Sequence, residues 1–438
     1  MPTSRSKTLF KYVFPAILTN VCVFLFTIVD GLFVGNGIST DALGAVNIAM
    51  PFVMISMALN MLTAIGGATV TAIRIGEKEE KAANKSFLHS LSMTFAVAAF
   101  ITIIGMLLTT PLCRLLGAND DYLSMVKEYV FWWSAFAIPN AISVNLQAFC
   151  RNDGSPMLVA IATATSTALN IFLDWLFVFP LQMGIMGAAV ATGISQVVGL
   201  VIVLMHFILK KGCLRIKPFK PEKKEYSQIL FFGTPEMIAQ FATPVTTICL
   251  NHMLVTTIGD LGVNVFAVIS YVSSFAMAVL YGASEGLQPL FGRAYGAGEK
   301  DDLKFFFKSG MLISLVGSTI CTGLSILLAS PIATLFGASG EVLMMTVQCM
   351  PLYSWAFIIA GLNTIISAYL YSTEKTAYAI ILNVLRGFVV NTVVIIGLSY
   401  LFGANIVWLT FGIAETVTLA LAVIIKRRAD GGKSVRSK

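Results

Sequence analysis

The sequence predicts an all-α polytopic membrane protein, with twelve transmembrane helices in two pseudo-symmetric six-helix lobes. Three observations predict it. Of 438 residues, 57% are hydrophobic and only 12% charged, about half the charged share of a soluble globular domain. Apolar runs recur from end to end, each about twenty residues or longer, enough for a helix to cross a ~30 Å hydrocarbon core. Finally, the chain resembles itself weakly after a shift of about 220 residues, the mark of an internal repeat. A closed β-barrel is excluded, because its strands would alternate polar and apolar residues.

The spans follow in order at 9–34, 45–73, 87–110, 123–150, 156–180, 184–209, 228–257, 264–292, 306–330, 343–371, 375–401 and 403–425. Basic punctuation separates them alternately. "MPTSRSKTLFK" opens the first span, "RIGEKEEKAANK" divides the second from the third, and Arg151 follows the fourth. "KKGCLRIKPFKPEKK" follows the sixth, Arg293 through Lys308 divides the eighth from the ninth, Lys375 opens the eleventh, and "KRRADGGKSVRSK" follows the twelfth. Every Lys and Arg except Arg114, Lys127 and Arg386 falls on this one side. The positive-inside rule therefore places both termini in the cytoplasm of a multi-pass cell-membrane protein.

The net charge of +7 is spent on this asymmetry, so no nucleic-acid partner is expected. The apolar run after Lys11 is too long for a signal core and reads as the first span. Seven scattered cysteines include no C-x-x-C pair and read as small packing residues.

The chain divides into an N-terminal six-helix lobe (1–209), a cytoplasmic linker (210–227) carrying Pro218 and Pro221, a C-terminal six-helix lobe (228–426) and a basic cytoplasmic tail (427–438). Across the repeat, "PLCRLLGAND" from Pro111 aligns with "PIATLFGASG" from Pro331, and Pro15 falls opposite Pro235. Each half has an even number of spans, so the repeat is parallel, about an axis along the membrane normal. Two such lobes facing each other across a cleft suit alternating-access transport. No G-x-x-x-x-G-K-[ST] is present, so uphill transport requires an ion gradient or a partner chain.

Five carboxylates fall inside spans: Asp30, Asp174, Glu236, Glu285 and Glu415. A mid-bilayer Asp costs ~2.5–3.5 kcal/mol even on insertion scales, so each asks for a use. Asp30, Asp174 and Thr192 all lie roughly 8–12 Å below the outer surface, counting 1.5 Å per residue from the span ends. Asn170 is one turn deeper than Asp174 on the same helix face. Two carboxylates, an amide and a hydroxyl supply hard oxygens for Na⁺, or a proton shared between close carboxylates. The alternative is that each aspartate is separately capped and simply ties helices together. Thr192 taken alone fits that structural role.

At these positions the chain resembles the multidrug and toxic compound extrusion (MATE) family, in its bacterial MepA-like branch. The resemblance rests on "TIVDGLFVG" in span 1, "NIFLD" in span 5, Thr192 in span 6, and "EGLQPLFGRAYGAG" closing span 8. It implies an antiporter that extrudes amphipathic, usually cationic compounds against entry of Na⁺ or H⁺. It also implies a coupling site at Asp30, Asn170, Asp174 and Thr192, and bending of span 1, for which Pro15 offers a hinge.

The C-terminal half does not repeat that site, since Asp30 meets Leu250 and Asp174 meets Val394 after the shift. Glu236 and Glu285, at one depth near the inner surface, are candidates with Gln288 for a substrate or second proton site. They fit equally a water-filled inner vestibule. Several family members carry an acidic residue in span 10, and this chain departs from them with none in 343–371. Glu415 and Arg386, both near mid-membrane, read as a structural ion pair. Nineteen Met and 31 Phe suit an adaptable cavity, with no single one assigned to it.

The expected function is thus a cation-coupled exporter working as a monomer in membrane lipid, with small amphipathic cations as substrates and no bound cofactor. Within transport the alternative is a flippase for a lipid-linked saccharide, disfavoured by spans holding one Arg against five carboxylates. Outside transport it is a receptor or scaffold, which needs no parallel repeat. No nucleophile–base pair or H-E-x-x-H motif suggests an enzyme.

Overall fold

The computed structural model describes residues 2–431. The predicted basic tail therefore lies outside the described residues beyond Gly431, and its first residues continue the last helix. Among the described residues every regular element is helical.

Contacts divide the chain into two compact units, the first holding Ser6–Met237 and the second Ile238–Tyr295 and the chain from Glu299. The first unit opens with α1 (Pro2–Gly37), α2 (Thr40–Gly76), α3 (Glu80–Leu107), the short α4 (Thr109–Leu115), α5 (Asp120–Ala135) and α6 (Ala137–Asn152). It continues with α7 (Pro156–Val178), α8 (Gly184–Ile208) and the beginning of α9 (Lys223–Thr257). The second unit takes the rest of α9, then α10 (Asp260–Gly296), α11 (Lys300–Leu327), the short α12 (Ala329–Leu335), α13 (Gly340–Ser354) and α14 (Ala356–Ser372). α15 (Thr376–Val384), a π-helical stretch (Leu385–Val390), α16 (Asn391–Phe402) and α17 (Ala404–Gly431) complete it.

Eleven helical segments among the described residues are long and apolar enough to cross a membrane. The fourth predicted span is the exception. It is built from α5 and α6 placed end to end and broken at Phe136, each 16 residues long. Its counterpart, α13 with α14, breaks at Trp355. The packing at the break repeats as well. A Cβ on Gly193 would enter the ring of Phe136, and one on Gly412 would enter the ring of Trp355. Each aromatic fills the space left by a missing side chain, and in the first unit Pro139 also lacks the N–H that would bond the carbonyl of Ala135 across the break.

Other contacts repeat in the same register. Thr102 donates to the carbonyl of Ser134, as Thr322 does to that of Ser354, both at 3.0 Å. Each unit buries its own aromatic core. In the first, Phe52 and Trp133 meet edge to face at 5.7 Å; in the second, Tyr353 stacks on Phe411 at 5.3 Å. Large apolar side chains such as Phe100, Ile103 and Leu107 on α3 remain exposed, as a lipid-facing surface requires.

The linker expected at 210–227 ends sooner in the structure, because α9 begins at Lys223, and the first unit extends beyond it to Met237. Two features hold α9 there. The backbones of α2 and α9 touch at Gly66 and Gly233, where an added Cβ would strike the carbonyls of Ile229 and Leu62. Arg74 then reaches Glu225 (2.8 Å) and Gln228 (3.1 Å).

The linker itself is tied down by polar contacts. Asp153 accepts from His206 Nε2 (2.9 Å) and from the backbone N–H groups of Cys213 (2.8 Å) and Leu214 (3.3 Å). His89 Nε2 accepts from the N–H of Glu222 at 2.9 Å. Both histidines are hydrogen-bonded fixtures of this clamp.

Candidate functional site

α7 and α8 form an antiparallel hairpin whose small residues let the two helices approach. Ser166 donates to the carbonyl of Ser195 at 2.7 Å, and Gly199 faces Ser166. This packing fixes which residues of the hairpin look at each other. Asn170 and Asp174, one turn apart on α7, are fully buried. Asn170 donates from Nδ2 to Oγ1 of the half-buried Thr192 on α8, at 3.4 Å.

α1 completes the group. Thr167 donates to the carbonyl of Cys22 at 3.4 Å, which ties α7 to α1 below the site. Asp30 of α1 lies beside Asp174, within electrostatic reach of it. α1 runs unbroken through Pro15, with Thr19 and Asn20 bonding back to the carbonyls of Pro15 and Ala16. The four residues read from the sequence as one constellation are therefore brought together from three helices.

The chemistry of the group lies in what it leaves unmatched. Both carboxylate oxygens of Asp174 and Oδ1 of Asn170 are buried without a hydrogen-bond donor among the described residues. A buried acceptor left so costs roughly 1–3 kcal/mol, more for a charged one. A proton on the carboxylate pair removes that cost by converting an acceptor into a donor. A desolvated alkali cation does so by taking the oxygens as ligands. Carboxylate, amide and hydroxyl oxygens are hard donors, a set that suits a proton or a hard cation rather than a soft transition metal.

One neighbour was not legible in the sequence. Tyr129 of α5 is buried within electrostatic reach of both aspartates. In "EYVFWW" it is one aromatic among four. Nothing in one sequence fixes the rotation of α5 against α1 and α7.

The residues proposed near the inner surface are arranged differently. Glu236 on α9 belongs to the first unit, while Glu285 and Gln288 on α10 belong to the second. Gln288 is buried and the two glutamates half-buried, and all three engage in polar contacts. None of them lines the cavity found in the second unit between α9, α10, α13, α15, the π-helical stretch, α16 and α17.

That cavity, about 120 Å³, was not anticipated. Its wall contains Arg386 and Glu415, which do meet as an ion pair, Nε to Oε1, at 3.0 Å. Tyr281, Tyr353, Asn383 and Asn391 stand around them. The pairing was readable from two opposite charges at mid-span; their place in a cavity wall was not.

Comparisons with known proteins agree with this architecture. A family model described as MatE matches residues 15–176 and again 235–396. The two matches are offset by the interval at which the sequence resembles itself. The multidrug export protein MepA of Staphylococcus haemolyticus (strain JCSC1435) is 23% identical over 97% of this chain and 93% of its own length. MepA of Staphylococcus aureus (strain MSSA476) is 24% identical over 96% and 93%.

Among solved structures, an outward-facing multidrug-resistance MATE transporter of the MOP superfamily superposes with a TM-score of 0.91 at 22% identity, covering 97% of this chain and 96% of that one. A MOP-superfamily transporter from Pyrococcus furiosus superposes with a TM-score of 0.90, also at 22% identity, over 98% and 97%. That protein is described as having a binding pocket of reverse polarity that suggests a different function.

Proposed function

The chain belongs to the MatE family, its two halves each matching the family model, and from that premise we propose that it is a cation-coupled multidrug exporter of the cell membrane. It is a multi-pass membrane transporter with multidrug-export relatives along its whole length. Its termini face the cytoplasm, its partners are membrane lipid and small amphipathic cations, it works as a monomer, and its coupling ion is H⁺ or Na⁺.

The observation that carries the coupling is the buried Asp174 carboxylate. Its oxygens have no donor within full hydrogen-bond range among the described residues, while Asp30 stands beside it and Asn170 and Thr192 flank it. Two acidic groups in this space are strained when both are ionised and empty, and relieved when a proton or Na⁺ is bound. The ion enters from outside, because Asp30 and Asp174 lie toward the outer ends of their helices in the orientation set by the basic loops.

Relief of the strain changes the preferred packing of α1 against α7. Coupling follows if the substrate favours the other packing, since a ligand that binds both states equally shifts nothing. Export then proceeds by alternating access, the substrate region opening to one side of the membrane at a time.

The test is ethidium efflux from energised vesicles with pH and Na⁺ gradients imposed separately, comparing wild type with Asp174→Asn. Efflux that follows one gradient and vanishes in the variant supports the reading and names the ion. A variant that pumps like wild type overturns the coupling role.

A further inference from the structure

The linker between α8 and α9 carries charge that the coupling site does not use. Between Lys210 and Glu222 five basic residues, Lys210, Lys211, Arg215, Lys217 and Lys220, stand against one acid. That acid, Glu222, already pairs with Lys85 of α3 at 2.5 Å. The four lysines are exposed, and none of them meets a carboxylate among the described residues.

The fold fixes where this charge stands. Leu214 is fully buried, and Asp153 accepts from the N–H groups of Cys213 and Leu214. Arg215 Nη2 reaches the carbonyl of Lys210 at 3.4 Å, which turns the segment after Arg215 back toward the end of α8. The N–H of Arg215 donates to Asn84 Oδ1 on α3, and the N–H of Glu222 to His89 Nε2, farther along the same helix. Between these two ties Phe219 rests on the His89 ring, with centroids 4.8 Å apart.

The linker thus runs alongside α3 instead of looping away from it. α3 starts at Glu80, so His89 stands roughly 13 Å along its axis and already inside the predicted span 87–110. Lys217 and Lys220 are therefore held where the apolar span begins, at the headgroup layer of a bilayer. An apolar stripe leads to the same level. Val201, Met205 and Ile208 are exposed on α8, at spacings that put them on one helix face. Exposed Leu209 ends the stripe, Lys210 and Lys211 follow directly, and exposed Ile216 precedes Lys217.

We propose that the end of α8 and the linker form a docking surface for anionic phospholipid. Lys210, Lys211, Lys217 and Lys220 hold the headgroup phosphates, and the acyl chains lie along Val201, Met205 and Ile208. Juxtamembrane clusters of four or more basic residues attract anionic lipid in this way. The positive-inside bias accounts for the sign of the loop, but it does not require the loop to be pinned beside α3 or aligned with an apolar stripe. A single-stranded nucleic acid draws on exposed aromatic faces, and the one aromatic of this segment, Phe219, is occupied by His89. Bound lipid supplies the countercharge that the protein withholds, and so reinforces the clamp joining α3, α8 and α9. The surface is independent of the coupling ion and of the exported substrate.

The test measures binding of phosphatidylglycerol, labelled with a fluorophore on its acyl chain, to full-length protein purified in an uncharged detergent. Unlabelled phosphatidylglycerol, phosphatidylcholine and glycerol phosphate serve as competitors. For wild type, phosphatidylglycerol is expected to displace the probe at a concentration at least about fivefold lower than phosphatidylcholine. That preference is expected to shrink in about 1 M salt, where the Debye length is about 3 Å. The variant Lys210→Gln/Lys211→Gln/Lys217→Gln/Lys220→Gln loses the preference. The same change at Lys78, Lys81, Lys300 and Lys304, exposed lysines outside the linker, leaves it intact.

Equal displacement by the two lipids in wild type overturns the site. An equal loss in both variants does so too, because it traces the preference to net charge alone. Glycerol phosphate competing as well as phosphatidylglycerol assigns a free phosphate and overturns the lipid. The salt dependence needs no variant, so the proposal stays testable if thermal unfolding shows that the fourfold change disturbs the fold.

Discussion

Asp30 and Asp174, on helices joined only through most of the first unit, bring their carboxyls together beside an amide and a hydroxyl. Groups that share one ion act as a unit, and removing either member removes most of the function. Asp30→Asn and Asp174→Asn are each expected to lower gradient-driven ethidium efflux at least tenfold. The double variant is expected to be no worse than the more impaired single one. Efflux rates in vesicles give the comparison, and losses that multiply would mean two independent sites.

The clamp at Asp153 predicts a pH dependence of stability. Burial pushes this carboxyl up, but hydrogen bonds from His206, Cys213 and Leu214 outweigh it and leave the group below the ordinary carboxylate range. A folded-state value below the unfolded one stabilises the protein at pH above the unfolded value, about 4, and the contribution is lost as pH falls through the folded value. Asp153→Asn keeps one acceptor and sets an N–H₂ against donors, a loss of roughly 1–3 kcal/mol. Thermal unfolding in detergent is expected to separate the variant from wild type at pH 7 and to bring the two closer as the pH drops below 4.

How much of this was legible in the sequence depends on the length scale of the signal. Spans and repeat come from composition over about twenty residues at a time, where the bilayer imposes a rule that tertiary packing cannot override. Asp30 and Asp174 were legible because a charge in an apolar span is costly, whereas the uncharged Asn170 and Thr192 were singled out by depth, helix face and the family resemblance.

The aromatic–glycine contacts at Phe136 and Trp355 were not, because each joins residues of different helices, Gly193 and Gly412 being the partners. The end of the linker was also hidden. The first turns of α9 look like any span, and only the touching backbones at Gly66 and Gly233 attach them to the first unit. Tyr129 and the Arg386 cavity depend on helix rotation, which apolar all-round helices do not encode in their periodicity.

That backbone contact supplies a sharp test of packing. A Cβ on Gly233 would lie against the carbonyl and Cα of Leu62, where no side chain can move aside. Gly233→Ala is therefore expected to force α2 and α9 apart at a cost of about 1–3 kcal/mol. Gly317 on α11 has open space around its Cα, and there the same substitution is expected to be neutral or to stabilise by up to about 1 kcal/mol. Thermal unfolding of the two variants side by side checks both signs at once.

The ion pair in the second unit predicts a strong non-additivity. Arg386→Gln alone leaves the Glu415 carboxylate, 2% exposed, with Asn363 as its one wild-type side-chain donor among the described residues. Breaking one side of a buried pair costs about 3–5 kcal/mol, chiefly from the stranded charge. Glu415→Gln alone strands the guanidinium, which keeps its long bonds to Thr364 and Ala360. It is the more exposed partner, so that loss is expected to be smaller.

Removing both charges strands neither, and the amides of the two glutamines can bond to each other and to Asn363. The double variant is thus expected to unfold at a higher temperature than Arg386→Gln, close to wild type. The cycle is measured by thermal unfolding of the four proteins in one detergent. Losses that simply add would mean that the two groups are held by other partners and that their meeting contributes nothing.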